Sequence, residues 1–140
     1  TIERELAGTV RRFLNNYVAA IWWPGVSDIQ YWARGEAADK IVAEVEALNA
    51  AGQYEGRQLI QLDFRSFDLE SDKVAIVTVR ETWAARLYEQ GPEGSEGPLL
   101  KQRGPYTIDV TYTLERDPES GQWLMSNIVW NTQPPAWETP

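Results

Sequence analysis

From Lys73 to Tyr88 the chain reads KVAIVTVRETWAARLY, an alternation long enough to dictate a strand. Ala75, Val77, Val79, Trp83, Ala85 and Leu87 fall on one face, and Thr78, Arg80, Thr82, Arg86 and Tyr88 on the other. A strand of this kind lies near the middle of a half-buried antiparallel sheet, with one apolar face that other elements must cover. Glu81 breaks the pattern, because it falls in phase with the apolar set. The segments before the strand are expected to cover it, and those after it to pair with it.

Upstream, three helices are expected. Ile2, Leu6, Val10, Phe13, Leu14, Tyr17, Val18 and Ile21 recur at three- and four-residue steps and predict a helix over about Ile2–Ile21. Glu3 and Glu5 suit its positive N-terminal end, and Trp22-Trp23-Pro24-Gly25 stops it. A short second helix is expected with Ser27 or Asp28 as N-cap, Ile29, Trp32 and Ala33 inward, and Gly35 as its stop. The third runs over about Glu36–Ala51 with Ile41, Val45 and Leu48 inward, ending at Gly52.

From Gly56 the period changes. Arg57–Glu70 predicts a first strand whose apolar phase switches between Phe64 and Phe67, which points to a bulge near Arg65-Ser66. Gly91–Gly104, rich in glycine and proline, reads as a long mobile hairpin loop. Tyr106–Glu115 and Gln122–Asn131 complete four strands. The expected architecture is therefore α+β: three N-terminal helices packed on a strongly curved four-stranded antiparallel sheet, a cone with one open mouth over residues 1–131. Residues 132–140 form a proline-rich tail or linker.

Composition narrows the chemistry. Within 140 residues there is neither cysteine nor histidine, so thiolate nucleophiles, imidazole triads and the usual zinc sites are excluded, and no metal or cofactor is expected. Thirteen basic against 21 acidic residues give a net charge of −8, which repels phosphate backbones, so nucleic acid is not an expected partner. No apolar run approaches the ~20 residues of a membrane span. A chain that opens on Thr1 and reads at once as helix is expected to be a piece of a larger protein, meeting a membrane only through segments outside it.

This order of elements resembles the cone-shaped fold of nuclear transport factor 2 and ketosteroid isomerase. Lys40–Tyr54, ending LNAAGQY, the strand VAIVTVRETWAARLY, and the pair YTIDVTYTLER and GQWLMSNIVW also resemble the inner-membrane-space domain family of the chloroplast-division J-like protein and its bacterial relatives. That resemblance implies a non-catalytic protein-interaction or scaffolding domain on the extracytoplasmic side of a membrane-anchored bacterial protein. It has no catalytic motif to carry over.

Glu81 is the sharpest chemical candidate. Inside an apolar cone a carboxylate is desolvated and its pKa rises, as a general acid or base requires. The plainer expectation is that it pairs with an arginine or accepts from an indole or a tyrosine hydroxyl. Were the chain an isomerase- or lyase-type enzyme, Glu81, Asn127 and Tyr112 would carry the site. Tyr106 would be a further hydroxyl donor, and Asp63 and Asp109 are expected on the solvated face. An enzyme predicts an open cavity reached by Glu81; an interaction domain predicts a filled cone and an exposed apolar patch. Among the seven tryptophans, Trp22, Trp23 and Trp137 are the expected binding patch for a protein partner. Adjacent helical residues diverge by about 100°, so at least one of Trp22 and Trp23 is expected to leave the core stripe unless the chain bends there. A homodimer through the sheet face is a further expected assembly, whereas Arg11-Arg12 and Arg103 read as solvated charges.

Overall fold

The structure, a computed structural model, describes residues 1–25 and 28–140. Two α-helices precede four strands: α1 (Ile2–Trp22), α2 (Gly35–Ala51), β1 (Gln53–Leu69), β2 (Val74–Gln90), β3 (Glu96–Arg116) and β4 (Trp123–Trp130). The Thr1 hydroxyl caps α1 by accepting from Arg4 N at 3.2 Å, and Glu3 and Glu5 sit in its first turn. Its buried stripe, Leu6, Val10, Phe13, Leu14, Tyr17 and Ile21, faces the sheet with Ala37, Ile41, Val45 and Leu48 of α2. α1 lies against β1 and α2 against β4, so both helices cover one face.

The strands form a meander in the order β1-β2-β3-β4, every neighbour antiparallel. Ala75, Val77, Val79, Glu81, Trp83, Ala85 and Leu87 of β2 are all buried, so the parity of the central strand holds along its length. The expected bulge in β1 is present, with a register shift between Phe64 and Ser66 opposite Val79 and Thr78. The sheet is open, β1 and β4 being its free edges, and it is not strongly curled, which corrects the expected strong curvature.

Two further expectations need correction. The second helix is reduced to a single 3-10 turn, Ile29–Tyr31; Ser27, one of its expected caps, lies outside the described residues. Asp28 flanks the turn without a side-chain cap, and Gly35 begins α2 instead of ending a helix. The reason is tertiary: Ala33 bridges Met125 and Arg34 N donates to Met125 O at 2.9 Å, so β4 takes backbone groups that a helix would have used internally. The second correction concerns Gly91–Gly104. Most of it is strand, and the turn shrinks to residues 91–95 around the 3-10 turn Pro92–Gly94. Three register shifts between Trp83 and Gln90 erase the alternation by which that strand would have been recognised. Gly97 permits the pairing, since a Cβ there would lie 2.1 Å from Glu89 O.

Beyond β4 the chain continues along the exposed edge of β3. Asn131 N donates to Asp109 O at 2.8 Å, and Gln102 and Glu138 exchange both backbone hydrogen bonds. This path carries Gln133 and Pro134 across the mouth of a cavity between helices and sheet.

Candidate functional site

The cavity measures about 270 Å³, so the cone is not filled. Its floor comes from strand parity: Glu81 and Trp83 project inward from β2, and Ile108 and Tyr112 from β3. Glu81 is 2 % exposed, and both its oxygens are occupied. Trp83 Nε1 donates to one at 2.8 Å, and the Tyr112 hydroxyl donates to the other. Burial pushes the Glu81 carboxyl pKa above its ordinary value, while the Tyr112 and Trp83 hydrogen bonds and the Arg57 charge oppose the rise. Burial, reinforced by Glu81, pushes the Tyr112 hydroxyl well up, so it stays a proton donor.

A second network closes the wall between α1, α2 and β1. Arg57 Nη2 donates to Glu44 at 2.9 Å and Arg57 Nε to Glu55 at 2.6 Å. The Tyr17 hydroxyl donates to the other Glu44 oxygen. The Arg57 guanidinium lies 5.0 Å from the Tyr17 ring centre and 5.7 Å from that of Trp83. Its side chain is 11 % exposed, and Glu55 is 4 % exposed. Burial would weaken the Arg57 charge, but Tyr17, Glu55 and Glu44 outweigh it and raise its pKa.

The mouth is formed by Tyr106, Arg103 and the tail. Arg103 stacks on Trp137, 4.0 Å from the ring centre, faces Tyr106 at 5.6 Å, and donates from Nη1 to Pro135 O at 3.2 Å. Its Nε is buried without a partner among the described residues. Arg103 is thus part of the site and not a solvated charge.

Of the residues named for chemistry, Glu81 and Tyr112 meet in the cavity and Tyr106 lies at its rim. Asn127 does not join them. Ser126 is an extra residue where Thr113 pairs with Asn127 and Leu114 with Met125; Ile128 therefore turns inward, while Asn127 Oδ1 accepts from Lys40 Nζ at 3.1 Å and from its neighbour's backbone N–H. Asp63 and Asp109 are on the opposite face, where Asp109 pairs with Arg80 at 2.9 Å. The three tryptophans named for binding separate: Trp137 is at the mouth, whereas Trp22 and Trp23 line a distinct groove of about 170 Å³. Sequence reasoning missed Arg57, Glu44, Glu55 and Tyr17 as site groups. The signal was there, because Glu44 falls on the Ile41–Leu48 stripe and Glu55 and Arg57 share the parity of Leu59.

No family model matches the chain, and no curated protein matches it. Solved structures do. The intermembrane space region of chloroplast protein ARC6 superposes with a TM-score of 0.73 at 14 % identity, covering 93 % of this chain and 96 % of that one. A periplasmic fragment of TraM gives 0.52 at 12 % identity, covering 91 % and 98 %. An NTF2-like family protein from Streptomyces avermitilis, described as a candidate dehydratase, gives 0.50 at 14 % identity, covering 90 % and 95 %. The fold is the NTF2-like cone. At these identities the likeness concerns the fold, and within it the cavity of this domain occupies the space between helices and sheet. No helix among the described residues is long and apolar enough to cross a membrane.

Proposed function

We propose that this NTF2-like domain is a non-catalytic protein-interaction domain that receives a short segment of its partner at the cone mouth. The observation that carries this reading is the internal pairing of the charged groups of the interior. Glu81 is held by Trp83 and Tyr112, and Arg57 by Glu44 and Glu55, so the acid and base groups of the cavity are bound to one another. Each Glu81 oxygen already accepts one hydrogen bond, so a substrate proton would have to compete with Trp83 and Tyr112 for the same carboxylate. The mouth is different: the Arg103 guanidinium, whose Nε is without a partner among the described residues, lies with Trp137 and Tyr106 where an incoming chain would arrive. At about 270 Å³ the cavity takes a few side chains, just under the ~300–1,000 Å³ of drug-sized ligand pockets.

The likeness to an intermembrane-space region and a periplasmic fragment supports placing the domain on the extracytoplasmic side of a membrane-anchored bacterial protein. Purification of partners from the producing cells on the wild-type domain, on Arg103→Ala and Trp137→Ala, and on Glu46→Ala, an exposed position of α2 that lines neither cavity nor groove, tests the reading. A protein recovered by wild type and Glu46→Ala, and reduced about tenfold or more by both mouth variants, is the expected result, since losing a hydrogen bond to a charged donor is worth about that factor. Recovery insensitive to the mouth overturns it. The second reading, a small-molecule lyase or isomerase, is favoured by the outcome expected of an enzyme: the cone is open, not filled as an interaction domain would have it, and Glu81, its pKa raised, lines it. Turnover of an apolar carbonyl compound that Glu81→Gln abolishes would establish it.

A further inference from the structure

The groove where α1 ends is separate from the cone mouth, and its chemistry is different. Pro24 breaks the helix, and the Trp23 N–H closes its last turn on Ala19 O at 3.0 Å. Trp23 is left 71 % exposed and Trp22 40 %. Trp22 lies over β1 at Gly56, where a Cβ would come within 3.1 Å of the indole. It stands at 87° to the Tyr54 ring, 5.1 Å away between centres, and Tyr54 stacks on Tyr88 at 5.0 Å. Trp22, Trp23 and Tyr54 all line the groove, and Trp23 is the most exposed of the three. Asn49 and Gln90 bond to each other, to Pro24 O and to Gln53 O, which holds the rim in place without a guest.

Three further observations point to the guest. Glu96 lines the groove, and no lysine or arginine does so among the described residues. Every tryptophan on the sheet or tail already has one of the chain's own cations over its ring: Arg57 on Trp83, Arg116 on Trp123, Lys40 on Trp130 and Arg103 on Trp137. Trp22 and Trp23 have none among the described residues, although they are the most exposed indoles. The groove, at about 170 Å³, has room for a quaternary ammonium head group, and the chain carries a net charge of −8.

We infer that this groove is an aromatic cage for a small organic ammonium cation of the trimethylammonium class. The quadrupole of each ring face attracts the cation, and the Glu96 carboxylate adds a charge that a neutral guest cannot use. Such a head group could belong to a free solute, a methylated lysine or a choline lipid, and the cage chemistry is common to all three.

The test follows the indole Nε1–H signals by two-dimensional NMR at constant ionic strength, titrating the whole chain with choline chloride and with its neutral isostere 3,3-dimethylbutan-1-ol. Expected are saturable shifts of the Trp22 and Trp23 signals with choline, and binding about fivefold or more weaker for the isostere. Trp23→Ala and Glu96→Gln each weaken choline binding several-fold, whereas Arg103→Ala at the cone mouth leaves it unchanged, which separates this site from the proposed partner site. Parallel titrations with trimethyl-lysine amide and with phosphatidylcholine vesicles identify the source, each supporting the cage if Trp23→Ala weakens it several-fold. Equal affinity for the neutral isostere, shifts of the same signals by glucose but not by choline, or no saturable shift would overturn the inference.

Discussion

Arg57→Ala is expected to destabilise the domain by about 3–5 kcal/mol, the usual cost of removing one partner from a buried ion pair. Glu55 would remain 4 % exposed with its cation gone, and Glu44 would keep only the Tyr17 hydroxyl. The stem and guanidinium also cover the Tyr17 and Trp83 rings, so packing is lost along with charge. Adding Glu55→Gln to Arg57→Ala should recover part of the loss, because the orphaned charge is then removed. Urea unfolding of both variants gives the comparison; a single variant within about 1 kcal/mol of wild type would mean that water solvates Glu55 and the network contributes little.

Glu81→Ala is expected to cost about 2–4 kcal/mol, because it leaves two buried donors, Trp83 Nε1 and the Tyr112 hydroxyl, without an acceptor. Glu81→Gln keeps an acceptor and removes the charge, so it should lose far less. The pH dependence distinguishes the two forms of the residue. The folded-state pKa of Glu81 is raised above its unfolded value. Its stabilising contribution is therefore fully present below the unfolded pKa, near ~4.3, and is lost as pH rises through the folded pKa. The stability difference between wild type and Glu81→Gln should thus favour wild type most in acid and decline towards neutral pH. Denaturant unfolding of both proteins across that range measures it, and a difference that grows with rising pH would show the carboxylate to be stabilised in its charged form.

These two residues also show how far the sequence could be read. Glu81 was visible because its neighbours on β2 alternate without interruption, so one charged residue in phase stands out. Tyr112 followed from the same rule on β3. Asn127 failed under that rule, because the extra residue at Ser126 inverts the parity of β4 and no local residue announces it. The segment 96–104 was misread for a related reason: three irregularities in its pairing with β2 hide the strand behind glycines and prolines. Arg57 and Glu44 were each in phase with an apolar stripe but lie on different elements, and nothing in the spacing of either names the other.

By itself the sequence determined the α+β order, the ends of α1 and α2, the buried face of β2 and the absence of thiol and imidazole chemistry. All of these depend on residues within a few positions of one another, where backbone geometry imposes the period. Only the tertiary structure decided that Ile29–Tyr31 remains a single turn, that Arg57 is neutralised by Glu44 and Glu55, that Arg103 and Trp137 frame the mouth, and that Trp22 meets Tyr54 across Gly56. Each of these is a contact between segments distant in the chain. A local pattern specifies which face a side chain occupies, and packing alone specifies what it meets there.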